Sequence, residues 1–122
     1  MITVKPMREE AIRAGYEAMT GRVTLDYADF RAALQPWEVS AFCRGDEVIG
    51  MLLVRGCELH VAIVERERSR WLSRRLIREV VSPIIERHGV AKTSVMPDNI
   101  KGRDFVERLG FVKKEHGYEL SA

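Results

Sequence analysis

The sequence predicts a mixed α/β (α+β) layer fold, and three observations carry that prediction. Residues 39–64 alternate with a period of two between glycine turns, residues 69–88 switch to a helical period, and short strand and helix signals then succeed one another. The predicted order is β-α-α-β-β-β-α-β-α-β, with antiparallel hairpins early and one long helix after the third central strand.

Ile2 to Lys5 reads as a first strand ended by Pro6. Met7 to Met19 carries Ile12, Tyr16 and Met19 at helical spacing and stops at Thr20-Gly21. Asp26 caps a second short helix in which Tyr27, Phe30 and Leu34 share a face before Pro36 ends it. Val39, Ala41 and Cys43 alternate with Ser40, Phe42 and Arg44, Gly45-Asp46 supplies a turn, and Glu47 to Arg55 returns as an apolar strand. After Gly56, Glu58 to Val64 forms a further strand with Glu58, His60 and Ala62 on one face and Leu59, Val61 and Ile63 on the other.

A helix follows from Ser69, its expected cap, to His88, with Leu72, Leu76, Ile77, Val80, Val81, Ile84 and Ile85 as its apolar stripe. Gly89 closes it. Pro83 should bend it or shorten its last turn, because the ring removes a backbone donor and crowds the carbonyl of Glu79. Lys92 to Met96 reads as a strand, Asn99 to Leu109 as a helix, and Phe111 to Leu120 as a segment able to fold into a hairpin at His116-Gly117.

A length of 122 residues makes one domain, and 46% apolar with 31% charged residues excludes a disordered chain. The longest apolar runs, such as Met51 to Val54, are far short of the roughly 20 residues of a membrane span, and no secretory leader is expected after Met1. A cytoplasmic protein with no membrane partner is expected, folding alone or as a homodimer. Cys43 and Cys57 lie in strand-like segments and read as reduced thiols. With His60, His88 and His116 they show no ligand spacing, so no metal is expected. A net charge of +2 argues against nucleic acid as partner. The charge is uneven, however: Glu65 to Arg78 holds six arginines against two glutamates, which asks for an anionic partner or a solvated helix face.

Read as motifs, residues 39–118 resemble the GNAT (Gcn5-related N-acetyltransferase) superfamily. Val48-Ile49-Gly50-Met51-Leu52-Leu53-Val54 resembles the family's V-x-G strand, and Glu58-Leu59-His60-Val61-Ala62-Ile63 its fourth strand. Asn99, Phe105, Glu107, Leu109, Gly110 and Phe111 fall at the spacing of the block N-x-x-A-x-x-F-Y-E-K-x-G-F, with Gly102 and Arg108 as conservative replacements. The resemblance implies a mixed central sheet with an antiparallel N-terminal hairpin, a splayed parallel strand pair and flanking helices. It also implies acetyl-CoA as co-substrate and an amine acceptor. The cofactor-binding residues it implies are Ala62, Ile63 and Val64 on the strand, Arg68, Ser69, Arg70, Trp71, Leu72 and Ser73 at the helix start, and Asn99, Arg103 and Phe105 beyond.

Two departures from the family stand out. Its phosphate loop R/Q-x-x-G-x-G/A becomes Arg68-Ser69-Arg70-Trp71-Leu72-Ser73, without either glycine and with Trp71 in a small residue's place. Arg68 and Arg70 would compensate through side-chain contacts to phosphate, and the loop resembles those of some phage and prophage GNAT-like proteins. The family's proton-donating tyrosine falls at Val106, which leaves Tyr118 or water for that step. Glu58 stands one residue out of register with the family's base, a shift that a bulge would absorb, and His60 shares its face. The candidate catalytic residues are therefore Glu58, His60 and Tyr118.

Plain alternatives remain open for each. Glu58 and His60 also fit a polar strand end, Arg74, Arg75 and Arg78 a solvated face, Asn99 a helix cap, and Trp71 a core or interface anchor. Phe105 and Phe111 are expected in the core. For the whole chain the alternative to an N-acetyltransferase is a non-catalytic GNAT-like binding or structural module, for example phage-encoded.

Overall fold

The computed structural model of the chain describes residues 2–68, 73–95 and 99–121. Among the described residues seven strands, β1 (Ile2–Lys5), β2 (Glu38–Arg44), β3 (Glu47–Arg55), β4 (Glu58–Ile63), β5 (Val90–Thr93), β6 (Val112–Lys114) and β7 (Gly117–Ser121), hydrogen-bond in the order β1-β2-β3-β4-β5-β7-β6. β4 and β5 are parallel, and β1–β2, β2–β3, β5–β7 and β6–β7 are antiparallel. The helices are α1 (Arg8–Ala18), α2 (Tyr27–Ala33), α3 (Arg74–His88) and α4 (Ile100–Arg108). The chain packs as two compact units, Met1–Arg55 with Val61–Ser73 and Gly56–His60 with Arg74–Ala122, so the division falls within β4.

In the first unit the hairpin β2–β3 turns at Gly45, whose φ of 62° is the left-handed conformation that glycine adopts freely. The register shifts between Phe42 and Cys43, where Ile49 is the extra residue on β3. α1 lays Ala11, Ile12 and Ala18 on this sheet, and Gly15 lets it come close: a Cβ there would stand 2.5 Å from Met51 Cε. Asp26 caps α2 as expected, its Oδ1 accepting from Asp29 N at 2.8 Å. Arg8 ties the end of α2 to α1 by donating to Leu34 O and Trp37 O at 2.9 and 2.8 Å.

In the second unit α3 buries Leu76, Val80, Val81 and Ile84 and packs on β5. It differs from the sequence expectation at its start and matches it at its end. It begins at Arg74, after the described Ser73, and it runs on through Pro83 to His88 instead of shortening. Burial of Ile84 one residue beyond Pro83 stabilises the last turn and offsets the lost hydrogen bond. The expected cap Ser69 and stripe residue Leu72 lie outside the described residues. β5 is Val90–Thr93 rather than 92–96, because Gly89, at φ 79°, turns the chain directly into the pairs Val90↔Ser121 to Thr93↔Tyr118. The hairpin β6–β7 turns before Gly117, where a Cβ would stand 2.6 Å from Thr93 O.

One burial expectation needs correction. Phe111 is buried, but Phe105 is only half-buried, and α4 carries no buried residue. With Lys101, Gly102, Arg103, Asp104 and Glu107 around its single apolar stripe, α4 has too little apolar surface to enter the core. On β4, Val61 is exposed although it shares parity with buried Leu59 and Ile63.

Candidate functional site

The site is built on the first half of β4. Strand alternation puts Glu58 and His60 on one face, and they meet there: His60 Nε2 lies 2.5 Å from Glu58 Oε2, with the two side chains 29% and 49% exposed. The carboxylate orients the imidazole, which leaves a hydrogen-bonded pair of the residue types used in acid–base chemistry within reach of solvent.

The neighbouring strands extend this face. Glu58 is the register partner of Lys92 on β5, and Lys92 that of Glu119 on β7. Directly paired residues point to the same face of a sheet, so Glu58, Lys92 and Glu119 form a transverse row. That parallel pair, Glu58↔Lys92, is the one recorded between β4 and β5 among the described residues, joined by Lys92 N donating to Cys57 O at 2.7 Å. The rest of β4 and the residue after it, Ala62, Ile63 and Val64, lie beyond the pair. Ile63 and Val64 are buried, and Val64 N donates to Ile49 O at 2.9 Å.

The third candidate catalyst is not brought to this face. Tyr118 pairs with Thr93, one residue from the Lys92↔Glu119 pair, so its side chain points to the opposite side of the sheet. It is 4% exposed, and its hydroxyl donates to Glu107 Oε1 at 3.3 Å. Arg103, one turn earlier on α4, also hydrogen-bonds that hydroxyl, which together with the nearby Glu107 and Asp104 carboxylates holds the guanidinium above its ordinary pKa. Tyr118 therefore fastens α4 to β7, and the three candidates do not form a triad.

The expected phosphate ligands are also rearranged. Arg68 lies in a turn after a short 3₁₀ segment (Glu65–Glu67), not at the start of a helix. Its guanidinium donates to Ile63 O at 2.9 Å and to Ala18 O at 2.6 Å, binding the end of β4 to the end of α1. Just before it, Glu67 is 4% exposed and pairs with the more open Arg44 at Nε, 2.7 Å away, a half-buried ion pair that no local pattern in the sequence signals. Ser69, Arg70, Trp71 and Leu72 lie outside the described residues, and Ser73 is exposed immediately before α3. Asn99 takes the capping role: its Oδ1 accepts from Gly102 N at 3.0 Å.

Sequence reasoning missed a groove of about 210 Å³ in the second unit. Ile77, Val81 and Leu120 form part of its apolar floor, and Arg74, Arg78 and Arg108 stand along it. Lys92 was also missed, although a lysine inside a central strand is itself a signal. Both cysteines are free, and burial pushes the Cys43 thiol up and keeps it unreactive. Among the described residues no group of three His, Cys, Asp or Glu is placed to hold a metal ion, and no helix is long and apolar enough to cross a membrane.

With this geometry in hand, the fold can be compared with known proteins. No protein-family profile and no curated protein sequence matches the chain. Solved structures do match. The dodecameric spermidine N-acetyltransferase of Vibrio cholerae superposes with a TM-score of 0.77 at 12% identity, covering 98% of this chain and 93% of that one. An aminoglycoside acetyltransferase in complex with coenzyme A gives 0.75 at 13% identity, covering 99% and 95%. A protein described as a GNAT-family acetyltransferase from Desulfovibrio desulfuricans gives 0.67 at 19% identity, covering 99% and 98%. The chain has the GNAT fold, the mixed sheet with flanking helices that its motifs resemble.

Proposed function

We propose that this chain is a GNAT enzyme, an N-acetyltransferase that moves an acetyl group from acetyl-CoA to an amine by direct attack. The observation that carries this reading is the Glu58–His60 pair, solvent-accessible on the strand that makes the parallel pair Glu58↔Lys92. Acetyl-CoA supplies a thioester carbonyl. The chain's own part is to hold the acceptor, take its proton on Glu58–His60, and keep the reactants together, which lowers the entropic cost of their encounter.

The residues present fit such a co-substrate. Within the second unit, Leu59 and His60 have no recorded pair to β5 among the described residues, leaving backbone groups for pantetheine amides. For the diphosphate, α3 supplies a helix N-terminus and the side chain of Arg74, with Arg78 one turn on. Neither arginine has a hydrogen bond or ion pair among the described residues. Arg74 and Arg78 replace Arg68 in this role because Arg68 is committed to two backbone carbonyls. Arg70 and Trp71 remain proposed contacts from the sequence, and an unidentified amine remains the acceptor.

Calorimetric titration with CoA and acetyl-CoA tests the reading without knowledge of the acceptor. Binding is expected, and at a ligand concentration 100 times Kd it should stabilise the fold by about 2.7 kcal/mol. Absence of both heat and thermal shift at about millimolar ligand would favour the non-catalytic module.

A further inference from the structure

The geometry points to Lys92 as a site of self-acetylation, the amine of this chain placed to receive the acetyl group; this rests on the proposed acetyltransferase activity. The sequence holds five lysines. Lys5 and Lys113–Lys114 are on the edge strands β1 and β6, and Lys101 is on α4. Lys92 alone sits in an interior strand, exposed, as the register partner of Glu58. Neighbouring strands lie about 4.8 Å apart, and paired side chains leave the sheet on the same side. The lysine amine and the Glu58–His60 pair therefore share one open face.

A charge ladder is the simplest other use of Glu58, Lys92 and Glu119, since opposite charges directly paired across strands attract. A ladder would close ion pairs. Among the described residues Lys92 closes none with either glutamate, and the Glu58 carboxylate is turned instead to His60. Lys92 is left as an accessible amine beside a proton-accepting pair, the arrangement an acetyl acceptor needs.

The transfer balances without another reactant. The Lys92 ammonium first loses one proton to solvent; its lone pair then forms the amide bond to the thioester carbonyl carbon as Nζ gives its second proton to Glu58–His60. The carbon–sulfur bond breaks, and CoA leaves as the thiol with a proton returned from the pair or solvent. The lysine charge is lost, so the row becomes Glu58, acetyl-Lys92 and Glu119.

The full chain should be incubated with acetyl-CoA and followed by intact mass and peptide mapping. One acetyl group is expected on Lys92, none on Lys92→Arg, and a rate about a hundredfold lower on Glu58→Gln. A second readout is independent of turnover: saturating CoA should protect Lys92, but not Lys101, Lys113 or Lys114, from an amine-labelling reagent. CoA binding without acetylation or protection of Lys92 overturns the proposal and leaves the acetyltransferase reading intact. Equal acetylation of all exposed lysines, unaffected by Glu58→Gln, overturns it as uncatalysed chemistry. Failure to bind CoA overturns both.

Discussion

The two compact units of this chain put their strands to different uses. The largest fully buried side chains, Phe42, Ile12, Ile49, Met51, Val64 and Cys43, all belong to the first unit, where α1 and α2 cover the hairpin β2–β3. The second unit leaves polar and charged groups open: Glu58, His60 and Lys92 on one sheet face, and three arginines along a groove. One unit is a scaffold in the energetic sense, and the other presents chemistry at little cost in burial. Substitutions should therefore separate stability from activity according to the unit they strike.

The largest expected effect is on rate. Glu58→Gln keeps size and hydrogen bonding but removes the acceptor charge, and turnover with acetyl-CoA and a working amine should fall by about a hundredfold or more, with thermal stability nearly unchanged. A parallel loss of melting temperature would show that Glu58 holds the sheet rather than the proton. Next is Ile12→Ala in the first unit, which removes a fully buried side chain between α1 and the sheet. Chemical denaturation should report a loss of about 2–5 kcal/mol, with KM for acetyl-CoA unchanged in the folded fraction.

A smaller effect sharpens the contrast within the second unit. Tyr118→Phe removes the hydroxyl shared by Glu107 and Arg103. It should lower stability by about 1 kcal/mol while leaving turnover within a fewfold of wild type. A hundredfold loss of kcat with stability preserved would return Tyr118 to the chemistry.

The smallest effect concerns the surface of the first unit. Arg31 and Glu9 pair at 2.6 Å, and the hydrogen bond to Arg31 holds the Glu9 carboxyl below the usual glutamate range. A lowered folded pKa contributes stability above the unfolded value, and that contribution is lost as pH falls through the folded one. Arg31→Met should thus destabilise slightly at neutral pH and not at all once Glu9 is protonated. An equal deficit at both pH values would mean that Arg31 acts through packing.

The sequence by itself determined what depends on neighbours along the chain. Asp26 and the turn at Gly45-Asp46 were legible because caps and tight turns are local. The sharing of one face by Glu58 and His60 was legible because strand alternation is local too. The weights of competing local readings were harder: Asn99 fits both a ligand and a cap, and the structure shows the cap.

Only the tertiary structure decided which strands pair and in what register. That register sends Tyr118 to the face opposite Glu58, and it brings Lys92 beside Glu58 across 34 residues of chain. It is also why Arg68, a phosphate candidate by motif, instead spends its donors on carbonyls at Ile63 and Ala18, the latter 50 residues away. The physical reason is the same in each case. Backbone and side-chain periodicity fix a residue's direction within its own element, whereas its partners follow from burying apolar faces against elements remote in sequence.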